Sequence, residues 1–204
     1  LRLSSIDPAE IDDDLMDLII NEKRVLPHIH LSAQSGDDLI LKRMKRRHSR
    51  TDFLKICNTI KKNRPEMTFG ADIITGFPTE TEENFSNTYD FIKKSNFSNL
   101  HIFPFSPKMG TPAARMPQLR NNIKNERAEK LRKLGEEIRV DFFKAKVGTI
   151  QSVLFEGLNL SYTDDYFKVV ITKNKKEVSQ NMRGKLIKVK IKDYNKNSII
   201  ADIV

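Results

Sequence analysis

The front of the chain alternates short apolar runs with helical stripes. Residues 1–6 read as a strand already under way. Asp7 then offers a cap, Pro8 a first helical position and Glu10 the third place after the cap, and Ile11, Leu15, Leu18 and Ile19 recur at helical spacing. His28-Ile29-His30-Leu31 is a short strand between Pro27 and the turn-like Gln34-Ser35-Gly36. Leu39, Leu41 and Met44 mark a helical stretch, and Phe53, Leu54, Cys57 and Ile60 mark another from about residue 49 to 62. Residues 69–74 read as a strand ended by Gly76-Phe77-Pro78. Thr79 and Glu82 have capping-box spacing and open a helix through Phe85, Tyr89 and Ile92, and residues 100–103 form the next strand. This order implies a parallel sheet with crossover helices, whose ligands gather at the carboxyl ends of the strands. Residues 104–121, with five prolines and glycines spread along them, read as a long functional loop.

Near residue 122 the pattern changes. Ala128, Leu131, Leu134, Ile138, Phe142 and Ala145 describe a helix of more than 20 residues. After Gly148 only strands are expected: residues 150–155, 166–172, 185–192 and 198–204. The third alternates cleanly, with Ile187, Val189 and Ile191 on one face and Lys188, Lys190 and Lys192 on the other. Short strands in so small a segment suggest a barrel. The expected division is residues 1–121, a bridging helix 122–147, and a β-barrel 148–204.

Charge sharpens this division. The chain has 204 residues and a net charge of +9. Residues 1–119 hold 17 basic and 16 acidic side chains, whereas residues 120–204 hold 19 and 11. The basic end points to a polyanion such as RNA or an acidic membrane surface, against the plainer reading of a solvated lysine-rich surface. No stretch approaches the roughly 20 apolar residues of a membrane span. The single cysteine, Cys57, excludes a disulfide framework and a cysteine-rich metal site, and its apolar helical stripe makes it a core thiol.

Candidate chemistry lies at the strand ends. Gln34 and Asp72 each follow apolar runs and are expected to converge at one mouth, where an amide and a carboxylate can hold hydroxyl or amino groups. Gly76 allows close backbone approach to a ligand. Turn chemistry explains each of these residues taken singly. His28 and His30 share a strand face, but no third metal ligand is evident beside them, so hydrogen-bonded histidines are expected and no metal ligand is assigned.

Five motifs occur in one order: Arg2-Leu3-Ser4-Ser5-Ile6-Asp7-Pro8; residues 30–44 with Gln34-Ser35-Gly36-Asp37; Asp72-Ile73-Ile74-Thr75-Gly76-Phe77-Pro78-Thr79-Glu80; His101-Ile102-Phe103-Pro104-Phe105-Ser106; and Gly110-Thr111-Pro112-Ala113-Ala114. Together they resemble the radical S-adenosylmethionine tRNA methylthiotransferase family. The opening motif favours the branch acting on N6-threonylcarbamoyladenosine at position 37 of tRNA over the isopentenyladenosine branch.

The resemblance implies an α/β fold, a partial parallel β/α barrel of TIM-like form, followed by a TRAM domain, a small OB-like RNA-binding β-barrel. It implies S-adenosylmethionine bound by Gln34, Arg46 and Asp72, with Ser35, Ile74 and Gly76 close by. Arg46, with the adjacent Arg47 as its rival, would pair with the methionine carboxylate, Asp72 and Gln34 with ribose or amino groups, and the Ile73-Ile74 pair and Gly76 would flank the adenine. Lys188, Lys190 and Lys192 are the expected RNA contacts. The tRNA anticodon loop is the implied partner, no membrane is expected, and the implied compartment is the cytoplasm.

Intact members carry two 4Fe–4S clusters. Their cysteine ligands have no counterpart in this chain, so a preceding amino-terminal part is expected, and the 204 residues alone are expected to be inactive, with no catalytic residue of their own. A non-catalytic RNA-binding module is the alternative. An unrelated barrel enzyme using Asp72 and His30 for acid–base work would leave the motif order unexplained.

Overall fold

A computed structural model describes residues 1–158, 160–172 and 182–204. Its first part is a parallel sheet of four strands in chain order: β1 (Leu3–Ile6), β2 (His28–Gln34), β3 (Thr68–Thr75) and β4 (Asn99–Pro104). The crossovers carry α1 (Asp13–Asn21), α2 (Asp38–Arg43), α3 (Arg50–Asn63) and α4 (Glu82–Ser95). Ile29, Leu31 and Ala33 of β2, Ala71 and Ile73 of β3 and Ile102 of β4 enter one core with Ile19, Ile60 and Ile92 from the helices. Phe53, Phe91 and Phe97 meet edge to face there, with centroids 5.2–5.7 Å apart.

Strand side chains alternate, so the residues between these core positions share the opposite face. They are His28, His30, Ser32 and Gln34 on β2, Asp72 and Ile74 on β3, and His101 and Phe103 on β4. Parallel sheets are normally apolar on both faces. A face carrying three imidazoles, a carboxylate and an amide is therefore a ligand-lining face.

Two caps differ from the sequence expectation. Asp7 caps only a 3-10 turn, Pro8–Glu10, while α1 is capped by Asp12, whose carboxylate accepts the Leu15 N–H at 2.8 Å. Thr81 and Asn84, not Thr79 and Glu82, form the reciprocal box of α4. Thr79 instead has a left-handed backbone, φ +69°.

The second part is a closed barrel in the order β5-β6-β7-β9-β8. Its strands are β5 (Ile150–Phe155), β6 (Ser161–Thr163), β7 (Lys168–Ile171), β8 (Leu186–Tyr194) and β9 (Ile199–Ile203). The β7–β9 pair is parallel and the others antiparallel. The pattern over residues 166–172 overextends β7, and β6 is not expected from the sequence, because three residues are too few to display a period. Val153, Val169, Ile171, Val189, Ile191 and Ile199 fill the barrel.

One helix, α5 (Asn121–Lys146), serves both cores: Ala128, Leu131 and Leu134 belong to the first, Phe143 to the second. The β6–β7 turn also meets the starts of the parallel strands. Arg2 Nη2 donates to the Thr163 carbonyl at 3.3 Å, and its guanidinium stacks on Tyr166 at 4.3 Å.

Candidate functional site

The carboxyl ends of β2 and β3 open into a cavity of about 420 Å³. Gln34, Arg46 and Ile74 line it with Lys45, Phe77 and Phe105. Gln34 (φ +65°), Lys45 (φ +58°) and Thr79 (φ +69°) are non-glycine residues in the left-handed region around this strand end. Such conformations are uncommon and costly outside glycine, and they cluster at functional sites. Gly76 also has a positive φ, +70°, and a Cβ there would stand 2.3 Å from Lys124 Cγ. Its N–H donates to Glu80 Oε1 at 2.9 Å, which pins the turn after β3.

Arg46 is held before any ligand arrives. Its Nη2 donates to the Ser32 carbonyl at 2.6 Å and its Nη1 lies 3.5 Å from Asp7 Oδ2. Its Nε is buried with no hydrogen-bond partner among the described residues. Arg43 reaches across the rim and donates to Thr79 Oγ1 at 2.5 Å. Ser35 does not face the cavity: it is buried, its hydroxyl 3.2 Å from Thr88 Oγ1 and accepting the Asp37 N–H. Phe77 and Phe105, packed edge to face at 5.2 Å, are wall residues that their sequence motifs contained but did not single out.

Gln34 and Asp72 line different cavities. Gln34 pairs in register with Ile73, between Asp72 and Ile74, and opens with Ile74 into the first cavity. Asp72 lines a second cavity, of about 280 Å³, with His28, His30, His101, Arg2 and Tyr166. Asp72 Oδ1 is 3.0 Å from His30 Nε2 and 3.3 Å from His101 Nδ1. His28 is almost fully buried, and that burial pushes its pKa down to about 4. Its Nδ1 lies 2.9 Å from Thr68 Oγ1.

Lys188, Lys190 and Lys192 are exposed on one face of β8, while Val189 and Ile191 are buried. The Lys192 ammonium lies 3.3 Å from Asp202, so the row is partly neutralised at that end. Cys57 is buried in the first core, and desolvation pushes its thiol far above the ordinary range. Among the described residues, no helix is long and apolar enough to cross a membrane.

Comparison with known proteins agrees with this architecture. Residues 3–92 match the Radical SAM superfamily. The chain is 50% identical, over 85% of its length, to the threonylcarbamoyladenosine tRNA methylthiotransferase of Rickettsia prowazekii, of which the match covers 41%. It is 32% identical, over 95% of its length, to a tRNA-2-methylthio-N(6)-dimethylallyladenosine synthase of Neorickettsia sennetsu, again covering 41% of that protein. The chain thus spans less than half the length of these curated relatives. In fold it is similar to coproporphyrinogen III oxidase of Escherichia coli, a radical SAM enzyme: TM-score 0.55, 17% identity, 67% of this chain and 32% of that one. The parallel sheet with its polar face, the cavity at its carboxyl end and the similarity along nearly the whole chain lead to one assignment: the chain belongs to the radical SAM superfamily and, within it, to the tRNA methylthiotransferases.

Proposed function

We propose that this chain supplies the cofactor-binding face and the RNA grip of a tRNA methylthiotransferase acting on N6-threonylcarbamoyladenosine in the anticodon loop. The observation that carries the reading is the cavity beside Gln34, rimmed by left-handed residues and lined by an arginine, an amide and apolar side chains. Its volume falls within the roughly 300–1,000 Å³ usual for small-molecule sites. Its residues fit S-adenosylmethionine, which is an amino-acid carboxylate and ammonium joined through a sulfonium to an adenosine.

The Arg46 guanidinium, which lines the cavity, would pair with the carboxylate. The Gln34 amide would serve ribose or amino groups. Ile74, Phe77 and Phe105 would exclude water and stack against the adenine. Gly76 and Thr79 would fix the loop that closes over it. When bound, S-adenosylmethionine supplies the methyl group and the radical precursor of this enzyme class.

An iron–sulfur cluster does not fit this chain's own residues. A cluster needs about four ligands, usually thiolates, and the one cysteine is buried on the helix-covered side of the sheet.

The barrel is proposed as a TRAM domain that holds the tRNA backbone through Lys188, Lys190 and Lys192, which project from one face about 7 Å apart. The cytoplasm is the compartment in which a tRNA-modifying enzyme would work. The branch acting on isopentenyladenosine is the second reading, favoured only by relatives such as the Neorickettsia synthase.

The test is a titration of the 204-residue chain with S-adenosylmethionine by calorimetry. Gln34→Ala and Ile74→Asp are each expected to weaken binding by more than about tenfold, on the order of 1.4 kcal/mol. Equal affinity in the wild type and both variants would move the cofactor site elsewhere.

A further inference from the structure

The second cavity contains a donor set that the cofactor reading does not use. His30, Asp72 and His101 stand on the adjacent strands β2, β3 and β4, and their ligating atoms all lie within 4.8 Å of one another. The two imidazole nitrogens approach the same carboxylate oxygen, at 3.0 and 3.3 Å. A tetrahedral ion with arms of roughly 2.0–2.1 Å holds its ligand atoms about 3.3 Å apart. The two measured edges, 3.0 and 3.3 Å, are already close to that length. The third edge is no longer than 4.8 Å, and a rotation of the half-exposed His101 ring would shorten it.

Two further observations point to a ligand here. His28 Nε2 is buried, lines the same cavity and has no hydrogen-bond partner among the described residues. When the Thr68 hydroxyl gives its proton to the Pro27 carbonyl, it accepts from His28 Nδ1–H. In that tautomer Nε2 is a bare lone pair. A buried acceptor of this kind calls for a metal or for a donor carried by a bound molecule. The cavity also depends on the absence of a side chain. A Cβ on Gly70 would stand 2.6 Å from His30 Nδ1 and 3.3 Å from His28 Nε2, so only glycine lets both imidazoles keep their places.

We infer that His30, Asp72 and His101 form a mononuclear site for a divalent transition-metal ion of the zinc or ferrous type. Two imidazoles and one carboxylate on one side of the ion are the donor set of sites that keep positions open for water or substrate. The open positions face a cavity of about 280 Å³. Arg2 lies on its wall, stacked on Tyr166, with its Nε buried and unpartnered among the described residues. A small anion bound to the ion would meet that guanidinium. The site shares no lining residue with the proposed cofactor cavity. It stands or falls separately from the reading given above.

The experiment is titration of the 204-residue chain with cobalt(II), read by its visible ligand-field bands, and with zinc(II), read by calorimetry. One equivalent is expected to bind, with Asp72→Asn and His101→Ala each weakening it by more than about tenfold. Circular dichroism of the metal-free variants checks that the fold is kept, and the exposure of His101 makes its variant the safer of the two. Gly70→Ala, which displaces His30 without removing a ligand, is expected to weaken binding as well. No saturable binding, or binding that survives both ligand variants unchanged, would overturn the site.

Discussion

Arg127→Met is expected to destabilise the parallel sheet more than any surface substitution can. Arg127 and Glu80 are both buried, at 4% and 5% exposure. Arg127 Nη1 donates to Glu80 Oε1 at 2.7 Å and to the Glu80 carbonyl at 3.1 Å, and Nη2 donates to Glu82 at 2.5 Å. The guanidinium also lies 5.3 Å from the Phe85 ring centroid. Burial pushes the Glu80 carboxyl upward even with the Gly76 N–H and Arg127 beside it. Removing the arginine leaves that carboxylate buried and unpaired, which costs about 3–5 kcal/mol. For a chain of this size each kcal/mol lowers the melting temperature by roughly 2–4 °C, so a fall of about 6–20 °C is expected. The assay is urea and thermal unfolding followed by far-ultraviolet circular dichroism. The double variant Glu80→Gln with Arg127→Met should recover much of the loss, since a neutral amide still accepts the Gly76 N–H at far lower desolvation cost. A loss under about 1 kcal/mol in the single variant, or a double variant no better than the single, would refute the reasoning.

His28 sets a pH dependence. Its folded-state pKa of about 4 lies below the ordinary 6.5, so the unfolded chain takes up the proton first as pH falls. Its contribution is intact above about pH 6.5 and is lost progressively down to about pH 4, at most roughly 3 kcal/mol. Unfolding measured between those limits should lose that part of its slope in His28→Asn; an unchanged slope would count against it. For RNA, changing Lys188, Lys190 and Lys192 together to Gln should lower tRNA affinity and flatten the log–log salt dependence by about 0.7–0.9 for each phosphate that is no longer neutralised. Anisotropy titrations at several salt concentrations measure this, and an unchanged slope with the fold intact would place the RNA surface elsewhere.

Periodic elements are legible in the sequence, and groupings across strands are not. The alternation over 185–192 marks β8 because inward Val189 and Ile191 and outward lysines obey one period. Ser49 and the stripe of Phe53, Cys57 and Ile60 mark α3 for the same reason at helical spacing. Thr79 passes for a cap in the sequence because a capping-box pattern fits residues 79 and 81 almost equally. Only the backbone shows that Thr79 turns left-handed and that Thr81 takes the hydrogen bonds. Gln34 and Asp72 pair in the sequence reading because both end apolar runs, but register, which no single strand reveals, seats Gln34 between Asp72 and Ile74, and it opens with Ile74 into the other cavity. Register also brings His101 beside Asp72, 29 positions away in the chain, and so supplies the ligands that His30 lacks when read alone. Arg46 and Ile74 are legible because they lie in contiguous motifs near Gln34, and the fold brings all three to one cavity.

The sharing of α5 between two cores has a geometric consequence. A helix turns about 100° and rises about 1.5 Å with each residue. The number of residues between Leu134, seated against the sheet, and Phe143, seated in the barrel, therefore acts as a vernier on the angle between the two parts. Inserting one alanine between them would rotate one apolar anchor out of phase with the other, so the two cores could not both be filled without swinging the lysine face of β8 around the helix axis. Evolution can lengthen the loops of this chain freely, but this interval of eight intervening residues can change only in steps close to whole helical turns if the ligand-lining face and the basic face are to address one substrate together.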